Sequence, residues 1–116
     1  MILELLFLLL AAHVFADFVF QSDVMAKLKS RHNKPGRIPN GHKNTVPSWP
    51  YWLTAHAIVH GAVVFYVTQS LMLGVAEIVL HWWIDYAKCE SKLNISQDQM
   101  LHILCKFCYC VIEVFT

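Results

Sequence analysis

Long apolar runs alternate with short polar intervals along this chain, and within the runs ionisable side chains recur four residues apart. The runs predict four helices, at about residues 2–21, 49–68, 71–87 and 97–115. The first is apolar except for Glu4, His13, Asp17 and Gln21, and its length suits a bilayer span of roughly 20 residues. Ser48 is placed to cap the second and Pro50 to occupy its first turn. Only Gln69-Ser70 separates the second run from the third, which predicts a tight antiparallel hairpin. Ser96, with Gln99 three residues later, predicts a capping box opening the last helix. The expectation is an all-α, four-helix transmembrane bundle, with residues 1–116 forming one integral membrane domain.

The recurring pairs are His13/Asp17, His56/His60, His81/Asp85 and Asp98/His102. Four residues is just over one helical turn, so each pair lies on one face of its helix. Ionisable groups in lipid-facing surroundings are costly, and by default they mark function. Glu77 lies one turn before His81 on the same face, as an additional ligand or as a buried protonated carboxyl.

The interval 22–48 contains the turn signals Pro35-Gly36, Pro39-Asn40-Gly41 and Pro47. Its first part, Val24 to Leu28, reads as an amphipathic extension of the first helix. The interval also carries six of the nine basic residues: Lys27, Lys29, Arg31, Lys34, Arg37 and Lys43. Basic loops stay in the cytoplasm. Loops 22–48 and 87–97 (Lys88, Lys92) are therefore expected there, with both termini and the Gln69-Ser70 turn outside. Trp49, Tyr51 and Trp52 on one helix, and Trp82, Trp83 and Tyr86 on the next, read as interfacial aromatics. The N-terminal run has no preceding basic residue and no clean small-x-small site, so it is expected to be a retained span. On this topology all four pairs fall within roughly 15 Å of the cytoplasmic interface, at about 1.5 Å per residue.

Hydrophobic residues make up 57% of the chain and charged ones 15%, outside the range of a soluble domain. The net charge of +1, with no aromatics interleaved in the basic segment, excludes nucleic acid as the expected partner. Cys105, Cys108 and Cys110 crowd one apolar helix and Cys89 lies apart, which reads as buried apolar cysteines, not a disulfide framework. There is no Gly-rich phosphate loop and no Gly-x-Ser-x-Gly elbow. Gly61 and Gly74 are expected to let helices approach closely.

His13-x3-Asp17-x3-Gln21, His56-x3-His60, His81-x3-Asp85-x2-Lys88 and Asp98-Gln99-x2-His102 occur in this order on the four predicted helices. In this the chain resembles the small bacterial and phage membrane proteins of domain-of-unknown-function family 3307. The resemblance covers nearly the whole chain; the cysteine-rich, short last helix departs from the pattern. It implies residence in the bacterial inner (host cell) membrane and is silent on activity.

Imidazole and carboxylate ligands suit zinc, manganese or iron. His13, Asp17, His56, His60, His81 and Asp85 are the expected metal ligands. Gln21, Lys88, Asp98, Gln99 and His102 are expected to support them or to hold a small polar or anionic ligand. A metal-dependent hydrolase of a phosphate-containing substrate is the first reading. The second is a transporter of a polar metabolite such as a nucleobase, which with four helices requires a homo-oligomer. The third is a phage-type interaction protein whose polar core is structural.

Overall fold

The computed structural model describes residues 1–33 and 48–116, and every regular element among them is helical. Helix α1 spans Ile2–Val14 and runs into a π-helical turn, Phe15–Val19. A short α2 follows at Asp23–Leu28, then α3 at Trp49–Thr68, α4 at Leu71–Cys89 and α5 at Ile95–Phe115. The long helices form a ring in which α1 and α4 each pack against both α3 and α5. The turn signals between 35 and 47, together with Lys34, Arg37 and Lys43, lie outside the described residues.

Two helical stretches, Ile2–Val19 and Trp49–Thr68, are long and apolar enough to cross a membrane. The ring is polar inside and apolar outside. Its interior stripes are His56, His60 and Val64 on α3; Glu77, His81 and Asp85 on α4; and Asp98, His102 and Lys106 on α5. Phe7, Phe18, Leu71, Val75, Val79, Trp83, Leu104 and Phe107 face outward. This inverts the usual soluble pattern, in which the apolar stripe faces the core.

The α3–α4 hairpin follows its prediction. Gln69 adopts the left-handed conformation at φ 58° and donates its backbone N–H to Phe65 O at 2.7 Å, closing α3. The Ser70 hydroxyl then accepts from Leu73 N to open α4. A Cβ on Gly61 would lie 2.6 Å from the Gly74 carbonyl oxygen, so only glycine allows this crossing. Beside it Leu9, Val64, Leu73, Tyr109 and Cys110 form a small apolar core. The imidazoles lie below this core, about midway along α3 and α4.

Three local expectations are corrected. The first helix does not run unbroken to Gln21, because Phe20 N–H bonds to Phe15 O, five residues back, and Ser22 is extended at ψ 159°. For the same reason α2 is a separate helix, not an extension: the Ser22 hydroxyl caps it by accepting from Met25 N. The last helix starts two residues earlier than expected. Asn94 Oδ1 accepts from Gln97 N at 2.8 Å, and Gln97 Oε1 accepts from Asn94 N at 3.0 Å. Asn94/Gln97, not Ser96/Gln99, is thus the capping box, since asparagine caps at least as well as serine. Ser48 precedes α3 as expected, with Pro50 in the first turn, but its side chain makes no capping bond. Of the four free cysteines only Cys110 is buried; Cys108 is exposed, and Cys89 and Cys105 are half-buried.

Candidate metal centre

Each helix delivers its polar pair by the same means, a four-residue step along an inward face. On α1 this places His13 Nε2 3.3 Å from Asp17 Oδ2. Asp17 sits within the π turn, a feature that recurs at functional sites. Gln21 folds back to donate to the Asp17 carbonyl at 3.2 Å, so it braces this turn and does not reach a ligand position.

The imidazoles of His13, His56, His60, His81 and His102 converge. The His60 and His81 rings stack at 3.6 Å between centroids, and His81 and His102 at 4.2 Å. All five are buried, as are Asp85 and Asp98. Asp17 Oδ1 lies 2.8 Å from His60 Nε2 and 3.3 Å from His56 Nε2. Asp85 reaches both halves of the cluster. Its Oδ2 lies 3.3 Å from His56 Nε2 and 3.5 Å from His81 Nε2, and its Oδ1 lies 3.2 Å from His102 Nε2. Asp98 Oδ1 lies 3.4 Å from the same His102 nitrogen. Gln99, released from capping by the earlier helix start, accepts from His13 Nε2 and donates to Asp17 Oδ2 and Asp98 Oδ2.

Three sets of ligand atoms lie within 4.8 Å of one another: Asp17/His56/His60/His81, His13/His81/His102 and Asp85/Asp98/His102. Such nitrogen and oxygen sets suit zinc, manganese or iron. The unpaired atoms test the fit. His56 Nε2 and His81 Nε2 are buried among these carboxylates without a hydrogen-bond partner, as is Asp98 Oδ1. Most buried polar atoms are satisfied, so unpaired ones converging in one cluster require an explanation. His81 is also held in a ligand-like orientation. Its Nδ1 lies 3.3 Å from Glu77 Oε1, which orients the ring with Nε2 towards the cluster.

The helical pattern left Glu77 as ligand or neutral carboxyl; its contacts match neither. It accepts from Lys106 Nζ at 2.5 Å and from the Tyr109 hydroxyl at 2.8 Å, as the acidic partner of a buried ion pair. Lys106 was missed, although it continues the ladder Asp98, His102, Lys106 in four-residue steps. Lys29 was counted only as loop charge, yet its Nζ donates to Asp85 Oδ2 at 2.7 Å. Nothing in the spacing pointed to that contact, which forms across 56 residues. Lys88 stands at the rim, 3.7 Å from Asp98 Oδ2. Outside the bundle, Arg31 donates to both oxygens of Glu90, and His32 adds a third contact at 3.0 Å. These bonds hold the Glu90 carboxyl down to about 2 and raise the Arg31 guanidinium further.

Asp17, Glu77, Asp85 and Asp98 supply four carboxylates against two buried ammonium groups, Lys29 and Lys106. The five buried imidazoles beside them are the other groups able to carry positive charge, and Lys88, about one third exposed, stands at the rim.

A helical bundle with apolar walls and a buried His/Asp cluster able to hold a metal ion is the class that fold and site define. The family model described as "Protein of unknown function (DUF3307)" matches residues 5–114, and the chain belongs to that family. No curated protein and no solved structure matches it.

Proposed function

We propose that this chain is a four-span inner-membrane protein whose buried cluster holds a catalytic divalent metal that hydrolyses a phosphate-containing substrate. Its other partners on this reading are the bilayer and, at the rim, a small anionic ligand. The observation that carries it is that two of the buried imidazole nitrogens without a hydrogen bond, His56 Nε2 and His81 Nε2, face the Asp17 and Asp85 oxygens at 3.3–3.5 Å. A divalent ion would take both as ligands. Polar groups that only glued helices together would contribute about 0.6 kcal/mol per contact and would not need so many ionisable groups in one cluster. Asp17, His56, His60 and His81 are the residues assigned to the ion, with Glu77 orienting His81. A metal at this site would lower the pKa of a bound water towards neutrality. Lys88 at the rim then suits a phosphate group.

Elemental analysis of the detergent-purified chain tests this beside a His56→Ala/His60→Ala variant. At least one equivalent of zinc, manganese or iron is expected, lost in the variant while helicity is retained. Metal-free protein that is folded and refuses added metal would sink the reading.

One observation favours transport instead. The polar ladder continues past the imidazoles to Glu77 and, on α5, to Lys106 and Tyr109, about 16 and 21 Å from the start of that helix. Ionisable chains at that depth relay protons in carriers. Proteoliposome uptake that is abolished by Asp17→Asn in metal-free protein would select this alternative.

A further inference from the structure

We propose that Asp85, Asp98 and His102 form a second cation position, and that the protein's own lysines keep it closed until a divalent ion displaces them. The inference rests on the metal reading above and concerns a different set of ligands.

The geometry of Asp85 is the starting point. One oxygen faces His56 and His81, and the other faces His102. A carboxylate so placed can bridge two ions, the arrangement by which paired metals clamp a phosphoryl group during in-line displacement. Asp98 Oδ1 completes the second side at 3.4 Å from His102 Nε2; Asp98 is 1% exposed and this oxygen has no hydrogen-bond partner. The three ligand atoms lie within 4.8 Å of one another.

Both carboxylates already hold a positive charge. The Lys29 ammonium sits on Asp85 Oδ2 at 2.7 Å, and the Lys88 ammonium stands 3.7 Å from Asp98 Oδ2. Neither lysine belongs to the interior ladder. Lys29 caps the C-terminus of the short α2. The turn that follows it is tied to the end of α4 by Arg31 and His32 on Glu90. Lys88 lies in the last turn of α4 and is about one third exposed. Their long side chains can withdraw to the rim without disturbing a long helix. Neither ammonium sits on the Oδ1 oxygens that face His102, so an incoming divalent ion competes with them for the charge of the same two carboxylates and loosens their hold on the Oδ2 oxygens. The released lysines remain at the mouth, beside the ion, as ligands for a phosphate.

Manganese titration of the detergent-solubilised full chain, read by electron paramagnetic resonance, tests this. The signal distinguishes a lone Mn2+ from an exchange-coupled pair without depending on activity. Wild type is expected to bind one equivalent first and a second more weakly, with coupling appearing alongside the second. Lys29→Met and Lys88→Gln should each tighten the second equivalent by at least about tenfold, and Lys29→Arg should leave it unchanged. Asp98→Asn should abolish the second equivalent and retain the first. Lys88→Gln alters only a rim side chain, so it remains informative if Lys29→Met fails to fold. One equivalent in every protein, or a second that both lysine variants leave unaltered, overturns the proposal while the first site stands. No manganese in any protein overturns the metal reading itself.

Discussion

Glu77 and Lys106 show what a single side chain commits to inside this bundle. Both are fully buried, and their ion pair is reinforced by the Tyr109 hydroxyl and by His81 Nδ1. Removing one member of such a pair leaves an uncompensated charge and costs about 3–5 kcal/mol, whereas removing both can be nearly neutral. Lys106→Met alone should therefore destabilise the protein by about that amount, and Glu77→Gln/Lys106→Met should recover most of the loss. Unfolding of the detergent-solubilised variants measures both. A single variant as stable as wild type would mean that Glu77 does not carry its charge in the fold. The ladder on α5 made Lys106 legible in principle, since it lies four residues beyond His102. Lys29 was not legible: a basic residue in a polar stretch looks solvated, and only tertiary packing turns its ammonium inward onto Asp85.

Helix periodicity located the elements because the interior stripes repeat every three or four residues whatever chemistry they carry. The α3 bounds and the Gln69-Ser70 turn follow from it directly. Helix ends were less legible, because capping depends on which of several competent side chains closes its bonds. Two overlapping capping boxes were written into residues 94–99, and the earlier one formed. Asn94→Ala should cost about 0.5–2 kcal/mol, and Ser96→Ala no more than a few tenths; equal losses in thermal unfolding would contradict the observed register. The π turn around Asp17 left no mark in the residue pattern at all. The strap from α2 to α4 gives a pH prediction at the same scale. Arg31 and His32 hold the Glu90 carboxyl at about 2, against 4.5 for the free group. A lowered carboxylate contributes stability above its unfolded value and loses it as pH falls through the folded value. The gap in unfolding temperature between wild type and Glu90→Gln should be full above about pH 4.5 and close on descent towards about pH 2. A gap that stays constant across that window would remove Glu90 from the strap.

At the scale of the whole molecule, the contrast between apolar exterior and charged interior bears on how many helices cross the bilayer. Among the described residues only 2–19 and 49–68 pass on length and apolarity. Helices α4 and α5, of 19 and 21 residues, are long enough but carry Glu77, Asp85 and Lys88, and Asp98, Lys106 and Glu113. Averaging along a sequence counts those charges against a span, although Glu77, Asp85, Asp98 and Lys106 are buried and Lys88 stands at the rim. The outward faces are Leu71, Met72, Val75, Val79, Leu80 and Trp83 on α4, and Ile103, Leu104, Phe107, Val111 and Val114 on α5. A helix meets lipid with its surface and not with its average composition, and a bundle of this kind hides its charges among neighbours. All four helices are therefore expected to span, and the basic residues Lys27, Lys29 and Arg31 set the cytoplasmic side. Reporter fusions in bacterial cells provide the check, one inserted after His32, one at Gln69-Ser70 and one after Thr116. The first should report the cytoplasm, and the other two the opposite side. If the fusion after Thr116 reports the cytoplasm, α5 does not cross. If alkaline washing then releases the chain from membranes, none of the helices does, and the imidazole cluster would have to be explained as the interior of a protein bound at the surface.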